Sequence, residues 1–397
     1  MASLIPFATA LLALSNTASA APSNNRGRSC VTFDIAVPVV AENSIYETPR
    51  VDNNIDAVDW IWDLETWTSP NITERIKDVK KVKDTFSINA QLCVPKDKKG
   101  EKSGILQIAT HGISLKTNDN PNRYWDSEIE PEKYSYVDAA LNSGYSILTY
   151  DRLGVGKSSK PDAYEVVQGP VELEILKELT VRARSGDLAK SIKGKHVDIP
   201  DFEKIVLVGH SLGSAVTIGV LSKYGDIVDG AVSTGLITQG KLGQTGQSAF
   251  GLEHAKTHDK KRFGDRGSGY LVQATLSNVQ QIFFKKGHFD EKLLKYGEKI
   301  KETGTIGEFL SLGSVLATPA LNYKGPILFA LAEYDFGTCS GDCKGSYDYD
   351  AIRNDMFPAA SYVDVHIQEG SGHALTMHHN ATGHFQAIFG YLDAQGL

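Results

Sequence analysis

The stretch that decides the fold runs from residue 204 to residue 221, Lys204-Ile-Val-Leu-Val-Gly-His-Ser-Leu-Gly-Ser-Ala-Val-Thr-Ile-Gly-Val-Leu221. Its apolar start, Ile205 to Val208, predicts a buried strand, and residues Ser214 to Tyr224 predict a helix. Between them lies a G-x-S-x-G sequence centred on Ser211. A serine on such a sharp strand-to-helix turn has strained backbone geometry and an exposed hydroxyl, so the pattern predicts that Ser211 is a nucleophile.

The glycines on either side of Ser211 let the strand and the helix pass closely. The helix N-terminus also presents free amides and partial positive charge to an anion that forms beside the serine. Because the chain contains 37 glycines, the five-residue motif alone is a weak signal. The prediction that Ser211 is a nucleophile therefore depends on the flanking strand and helix.

The composition is that of an ordinary globular enzyme. The chain has 397 residues, of which 22% are charged and 41% hydrophobic, and this length allows a large core. A formal net charge of -7 gives no reason to expect nucleic acid or an anionic membrane as a partner. No metal or organic cofactor is implied, and the oligomeric state stays open.

The first twenty residues predict a secretion signal. They contain no charged side chain, are mostly apolar at positions 4–14, and end in the small residues 18–20. The run is too short to span a membrane, although it also lacks the Lys or Arg usual before the apolar part. We therefore expect residues 1–20 to be removed, and the mature chain to be extracellular without stable membrane insertion. Two sequons, at Asn71 and Asn380, predict glycosylation of the exported chain.

Four cysteines suit an oxidising compartment, and three pairings are possible. The short loop between Cys339 and Cys343 favours a local bridge, which leaves Cys30 to pair with Cys93. A zinc site is the alternative. It is poorly supported, since no histidine lies near these cysteines at ligand spacing.

Alternating strands and helices predict a mostly parallel sheet with helices on both faces. The predicted strands lie at 31–40, 85–94, 104–109, 145–150, 205–208, 230–236, 326–331 and 362–367, and the predicted helices of the core at 136–142, 171–184, 214–224 and 383–393. An insertion interrupts this alternation, with helices predicted at 269–284, 290–302 and 306–313. We interpret it as a helical cap. The expected organisation is a signal at 1–20, an N-terminal extension at 21–84, a core at 85–237 and 323–397, and a cap at 238–322.

The N-terminal extension contains three of the four tryptophans, Trp60, Trp62 and Trp67. We interpret them as a satellite hydrophobic cluster over one sheet edge rather than as the lip of a ligand site.

A nucleophilic serine needs a base, and the base needs an acid to orient it. Asp335 follows the strand after the insertion, and His373 lies in a glycine-rich loop after the last strand. Glu333 and Asp342 are alternatives to Asp335. The alternatives to His373 fall at or inside the next helix, where a surface or core role is expected, and are His378, His379 and His384.

The remaining histidines are not expected to take part in catalysis. His210 is expected to pack or to line the pocket, and His111 to shape its loop through local hydrogen bonds. His254 and His258 are expected to be solvated. The run after Asp151 is not a phosphate-binding loop, because Asp151 stands where that motif requires glycine.

From about Ser87 to Leu397 the chain resembles the α/β-hydrolase superfamily, in particular secreted fungal-type serine hydrolases with a helical cap. The motifs that carry the resemblance are His111-Gly112 followed by Trp125, Asp151-Arg152-x-Gly154-x-Gly156-x-Ser158, the G-x-S-x-G turn, Glu333-x-Asp335 and Gly372-His373. The resemblance implies the α/β-hydrolase fold. It also implies that Asp151 and Arg152 hold the backbone of a structural turn.

By this resemblance, Ser211 is the nucleophile, His373 the general base and then acid, and Asp335 the residue that orients His373. The amides of Leu212 and Ile113 would form the oxyanion hole. The expected function is a secreted serine hydrolase that cleaves a small-molecule carboxylic ester or lactone. The alternatives are a lactone or ester hydrolase of a specialised biosynthetic pathway, and a non-catalytic ligand-binding protein with a vestigial triad.

Overall fold

The computed structural model describes residues 28–96, 102–115, 123–192, 197–238 and 244–397. The predicted signal at 1–20 lies outside the described residues. The strands are β1 (Arg28–Tyr46), β2 (Ile76–Pro95), β3 (Ile105–Thr110), β4 (Ser146–Tyr150), β5 (Lys204–His210), β6 (Gly230–Thr234), β7 (Leu252–His254), β8 (Tyr270–Gln273), β9 (Gly304–Thr305), β10 (Ile327–Ala332) and β11 (Val363–Gln368).

The helices are α1 (Asn54–Glu65), α2 (Pro131–Tyr134), α3 (Tyr136–Asn142), α4 (Gly169–Arg184), α5 (Asp187–Ile192), α6 (Leu212–Tyr224), α7 (Gln244–Ala249), α8 (Ala255–His258), α9 (Lys260–Phe263), α10 (Leu276–Phe283), α11 (Glu291–Ile300), α12 (Ile306–Leu316), α13 (Phe336–Cys339), α14 (Tyr349–Ala351) and α15 (Ala381–Ala394). Across the described ranges, every helix falls short of the length and apolarity needed to cross a bilayer.

An eight-stranded sheet in the order β1-β2-β4-β3-β5-β6-β10-β11 forms the centre of the molecule. The pairs β1/β2 and β2/β4 are antiparallel, and the other neighbouring pairs are parallel. The middle strands are buried almost throughout, as expected for parallel strands that are covered on both faces. Helices α4 and α6 pack together, whereas α15 packs against α2 and α3. The predicted fold class is confirmed.

Strands β1 and β2 are much longer than predicted. They pair along 19 and 20 residues, and the Cys30–Cys93 disulfide joins residues that face each other across this pair. The lysine-rich start of β2 is mostly exposed, because there β2 pairs only with β1. The second predicted disulfide, Cys339–Cys343, is also present.

The insertion between β6 and β10 contains more than helices. Strands β7, β8 and β9 form a small antiparallel sheet. The predicted helix at 269–284 is therefore wrong in its first part, where residues 270–273 form β8. That four-residue run is buried and exchanges backbone hydrogen bonds with both neighbours, so sheet pairing there overrides helical periodicity.

The predicted tryptophan cluster is wrong for two of its three members. Trp60 is 1% exposed, whereas Trp62 is 70% and Trp67 is 90% exposed. Helix α1 packs one face against the insertion, where the Trp60 ring lies 5.9 Å from that of Phe309. The residue two positions further along a helix points away from that face. The same contact buries His254, which was expected to be solvated and whose amide donates to Asn54 at 3.1 Å.

Candidate active site

The turn between β5 and α6 holds Ser211 in a backbone conformation that few non-glycine residues adopt, with φ 52° and ψ -120°. Its amide donates to the carbonyl oxygen of Thr234 at 2.9 Å. A Cβ on Gly209 would lie 2.4 Å from Ser214 Cα, and one on Gly213 would lie 2.2 Å from Thr110 O. Both glycines are therefore required by close backbone approach, as predicted.

Asp335 and His373 meet beyond the ends of β10 and β11. Both side chains are buried, and Nδ1 of His373 lies 2.9 Å from Oδ1 and 2.7 Å from Oδ2 of Asp335. Oδ1 also accepts the amide of Thr338 at 2.8 Å, because Asp335 caps the short helix α13. A second hydrogen bond thus holds the Asp335 carboxylate in place, and the carboxylate in turn orients the imidazole ring of His373.

The alternative acids have other partners. Glu333 forms an ion pair with Lys344 and accepts the amide of Gly370 at 2.9 Å. Asp342 is exposed and accepts the amide of Lys344. The structure therefore selects Asp335 among the three predicted candidates as the carboxylate that contacts His373.

The alternative histidines are structural. His384 is buried in α15, and exposed His379 contacts Asp290 at 3.0 Å. His378 is buried, and its Nε2 accepts the amides of Gly372 at 3.0 Å and Lys285 at 3.2 Å. Burial lowers the pKa of His378 to about 4, so Nε2 stays an acceptor at neutral pH. His378 thereby joins the His373 loop to the insertion, a role that the sequence did not indicate.

Ser211 and His373 line the same cavity, which has a volume of about 240 Å³. Its wall is mostly Leu, Ile and Phe, and consists of Ile72, Ile113, Ser211, Leu212, Leu236, Ile237, Thr238, Gln247, Phe250, Phe283, Phe309, Leu312, Gly313, Leu316, Gly337, Thr338 and His373. In the described part of the chain, no hydrogen bond joins the Ser211 hydroxyl to His373. Such bonds often tighten only when substrate binds. The described residues also contain no group of three or more His, Cys, Asp or Glu placed to hold a metal ion.

Ile72 is the one contribution of the N-terminal extension to this wall among the described residues. It belongs to a short turn just before β2. No sequence pattern marks it, because its place depends on how the extension folds back over the insertion.

Two backbone segments adjoin the serine turn. Leu212 is the first residue of α6, and Ile113 follows the His-Gly pair at the end of β3; both line the cavity. A Cβ on Gly112 would lie 2.8 Å from Ser211 Cβ, so this loop touches the serine turn closely. The predicted pair of oxyanion donors is thus next to Ser211.

His111 fixes the direction of one of these amides. Its Nε2 lies 3.2 Å from the amide of Arg152 and accepts that proton, so its Nδ1 carries a hydrogen and donates to Gly112 O at 2.7 Å. The carbonyl of Gly112 and the amide of Ile113 belong to one planar peptide. Holding the carbonyl therefore holds the Ile113 N–H, and the loop-shaping role predicted for His111 is confirmed.

Arg152 connects this loop to the insertion. It is fully buried; Nη1 donates to Glu172 of α4 at 2.8 Å and to Glu308 of α12, and Nη2 lies 3.4 Å from Gly112 O. Burial and the neighbouring Glu308 carboxylate raise the pKa of Glu172 to about 8, although the positive charge of Arg152 acts to lower it. The amide of Lys157 donates to Asp151 at 2.9 Å, so the run after Asp151 is the structural turn that was expected.

His210 packs beside the proposed base. Its ring stacks on Tyr124 at 4.3 Å and lies 4.8 Å from the ring of His373. Burial and the nearby His373 hold the pKa of His210 well below its ordinary value. His210 is therefore neutral at physiological pH, and the predicted packing role is confirmed.

The comparisons with known proteins agree with this architecture. Residues 125–279 match a family model described as the alpha/beta hydrolase fold; the match includes Ser211 and ends before Asp335 and His373. No curated protein sequence matches the chain.

Several solved structures resemble the chain at low identity. A thermophilic esterase from Thermogutta terrifontis has 13% identity and a TM-score of 0.48, covering 78% of this chain and 94% of that one. A soluble variant of monoglyceride lipase from Saccharomyces cerevisiae has 12% identity and a TM-score of 0.48, covering 79% and 93%. An alpha/beta hydrolase, GrgF, from Penicillium sp. sh18 has 15% identity and a TM-score of 0.45, covering 77% and 92%.

These likenesses are too distant to carry an argument about reaction or substrate. The order of the eight strands, the strained serine turn and the family match carry the assignment instead. The chain has the α/β-hydrolase fold.

Proposed function

We propose that the chain is a serine hydrolase that cleaves carboxylic esters through an acyl-enzyme. The observation that carries the proposal is the placement of His373, whose Nδ1 contacts buried Asp335 while the same residue lines a cavity with Ser211. A base oriented by a buried acid and adjoining a serine in a strained turn is the arrangement that activates a hydroxyl nucleophile.

The steps follow from this geometry. Ser211 Oγ attacks the ester carbonyl carbon, and His373 Nε2 takes the hydroxyl proton. Asp335 accepts the Nδ1 hydrogen bond, which keeps the imidazole in the required tautomer and stabilises it when charged. The amides of Leu212 and Ile113 donate to the oxygen that becomes negative.

The second half of the reaction uses the same groups. His373 returns its proton to the leaving alcohol, and the acyl group stays on Ser211. Water then attacks the acyl-enzyme with His373 again acting as base, which releases the acid and restores the serine. Because the neighbouring His210 stays neutral, it adds no positive charge that would oppose protonation of His373.

The proposal also includes secretion of the protein and a cap over the site. Two disulfides and the exposed sequons at Asn71 and Asn380 support a secreted, glycosylated protein. The insertion at 238–322 contributes Phe250, Phe283 and Phe309 to the cavity, which supports its role as a cap. A lactone hydrolase of a biosynthetic pathway would use the same catalytic residues.

Hydrolysis of p-nitrophenyl esters of increasing acyl length tests the proposal. The wild type should release nitrophenol and Ser211→Ala should not, with both proteins matched by circular dichroism. Ser222→Ala, on the far half of α6, is the control serine. Equal rates for the wild type and Ser211→Ala would contradict the proposal. A well-folded wild type that binds esters without cleaving them would favour the non-catalytic alternative.

A further inference from the structure

The loop that carries His373 lies directly against the insertion. The amide of Ala374, the next residue, donates to the carbonyl oxygen of Phe283 at 3.0 Å. Phe283 is the last residue of α10, and its ring lies 5.5 Å from that of His373. A Cβ on Gly372 would lie 2.9 Å from Phe283 O and 3.0 Å from Lys285 N. The backbones of the two segments therefore meet on both sides of His373.

His378 joins the two segments through one imidazole ring. Its Nε2 accepts the amide of Gly372 at 3.0 Å and that of Lys285 at 3.2 Å. Since Nε2 accepts, Nδ1 carries the hydrogen, and it donates to the carbonyl oxygen of Ala374 at 2.8 Å. Gly372 and Ala374 are the two neighbours of His373 in the chain. The ring thus holds the residue before the base, the residue after it and the insertion together.

The surroundings of His378 keep this ring in place. The side chain is fully buried, stacks on Phe284 at 5.6 Å and meets the edge of Phe289 at 6.2 Å. Without Nε2, the buried amide of Gly372 would lose this acceptor, and an unpaired buried amide costs free energy. We expect the loop that carries His373 to shift until that amide finds another partner.

Such a shift matters because Nε2 of His373 has to reach the hydroxyl of Ser211. Asp335 orients the imidazole ring, but the backbone of the loop decides where the ring lies. A displacement of about 1 Å in a catalytic group can cost about 100-fold in rate. The described wall of the cavity does not include His378, so its loss should affect the reaction more than the binding of substrate.

We propose that His378 is a positioning residue, which holds the backbone on both sides of His373 against the insertion. The inference rests on the proposed function, because it assigns a support to the base of that reaction. It also makes the segment from Phe283 to Phe289 a fixed part of the active site, and not a part of the cap that moves away to admit substrate.

Two substitutions separate the acceptor of His378 from its donor. His378→Gln places an amide oxygen near the position of Nε2, and His378→Asn keeps an N–H donor near Nδ1 but has no acceptor at Nε2. His384→Asn is the control, because it removes another buried histidine, which lies in α15. The substrate is p-nitrophenyl butyrate, and active enzyme is counted by fluorophosphonate titration, so that partial misfolding does not enter kcat.

His378→Asn should lower kcat by about 10- to 100-fold through misplacement of the base. KM should change less than about twofold, since binding of the substrate is not altered. His378→Gln should recover most of the lost kcat, and His384→Asn should match the wild type. Full activity of His378→Asn, or equal losses in the Gln and Asn variants, would overturn the role of the Nε2 acceptor.

A double-mutant cycle shows whether His378 acts through His373. In a His373→Ala background, His378→Asn should lower the residual rate by less than about twofold, because the base that it positions is already gone. A general loss of structure would lower the rate by the same factor in both backgrounds. That result would overturn the positioning role.

Hydrogen exchange, resolved to single residues by mass spectrometry, tests the fixed support. In the wild type the amides of Gly372 and Lys285 should both exchange slowly, and in His378→Asn both should exchange at least about tenfold faster. Fast exchange of Lys285 beside slow exchange of Gly372 in the wild type would overturn the fixed support.

The same measurements separate this inference from the proposed function. A wild type that hydrolyses the ester, with equal kcat in every His378 variant, would overturn the inference and leave the proposed function standing. A folded wild type that neither hydrolyses the ester nor takes the fluorophosphonate would overturn both.

Discussion

Nδ1 of His373 lies 2.7 Å from Oδ2 of Asp335, and both side chains are buried at the ends of neighbouring parallel strands. The two residues are 38 positions apart in the chain. Parallel pairing of β10 and β11 brings together the loops that carry them. The pairing therefore determines which acid orients the base.

Asp335→Asn should lower kcat on a p-nitrophenyl ester by about 1,000- to 10,000-fold, because an amide stabilises the wrong imidazole tautomer and cannot balance its charge. Glu333→Gln is the matched control. It removes a charge that pairs with Lys344 but keeps an oxygen that can accept the Gly370 amide, and it should cost less than about tenfold because Glu333 does not contact His373. The opposite ranking of the two variants would make Glu333 the acid.

Much of this site was predictable from the sequence, because it depends on local geometry. The run around Ser211 contains its strand, its turn glycines and most of its helix in eighteen consecutive residues. The loops after the strands that became β10 and β11 contain only a few acids and histidines. The choice among Glu333, Asp335 and Asp342 needed only the side-chain contacts at the end of β10.

The rest was not predictable, because it depends on contacts between distant segments. Ile72 reaches the cavity only because the N-terminal extension folds back over the insertion. Residues 270–273 form a strand because β7 and β9 offer partners that periodicity cannot reveal. Trp60 and Trp62 have opposite exposures because α1 buries one face only.

Gly112→Ala should lower kcat by about 100-fold or more, the usual cost of losing one oxyanion donor. The added Cβ would lie 2.8 Å from Ser211 Cβ, so the loop that carries the Ile113 amide must shift. Gly390→Ala is the control, because Gly390 is exposed on α15 and its added Cβ meets nothing within 4 Å. It should keep the activity and raise the free energy of unfolding by about 0.5–1 kcal/mol. Unchanged activity in Gly112→Ala would contradict the proposed position of the oxyanion hole.

The stability of the protein should fall as pH rises towards 8, in part because of Glu172. Its folded pKa, about 8, exceeds the ordinary value of 4.5, so the folded state binds this proton more tightly. The resulting stabilisation is complete below pH 4.5 and is lost as pH rises through 8. Glu172→Gln cannot titrate and should show a smaller fall in Tm between pH 5 and 8.5. Parallel Tm curves for the variant and the wild type would exclude this contribution.

The two disulfides should contribute different amounts to the stability of the protein. Cys30–Cys93 spans 63 positions and Cys339–Cys343 only 4. On the loop-entropy model, removing the long bridge costs about 4 kcal/mol and the short one about half of that. Replacing both cysteines of a pair by serine, followed by denaturant unfolding, measures each cost.

The short bridge should matter more for activity. The amide of Cys339 donates to the carbonyl oxygen of Asp335 at 3.1 Å, and that of Cys343 donates to Glu333 O at 3.0 Å. Its removal should therefore lower kcat through looser placement of the acid, while the long bridge, between β1 and β2, should affect stability alone. A larger loss of kcat from the long bridge would contradict this division.

Covalent labelling shows directly whether Ser211 is the nucleophile. Wild-type protein and Ser211→Ala are incubated with a fluorophosphonate, digested, and analysed by mass spectrometry to locate the phosphonylated residue. We expect one label, on Ser211 in the wild type, and no label in the variant; His373→Ala should label much more slowly. A folded wild type that takes no label, or one that is labelled equally after Ser211→Ala, would contradict the claim that Ser211 is the nucleophile.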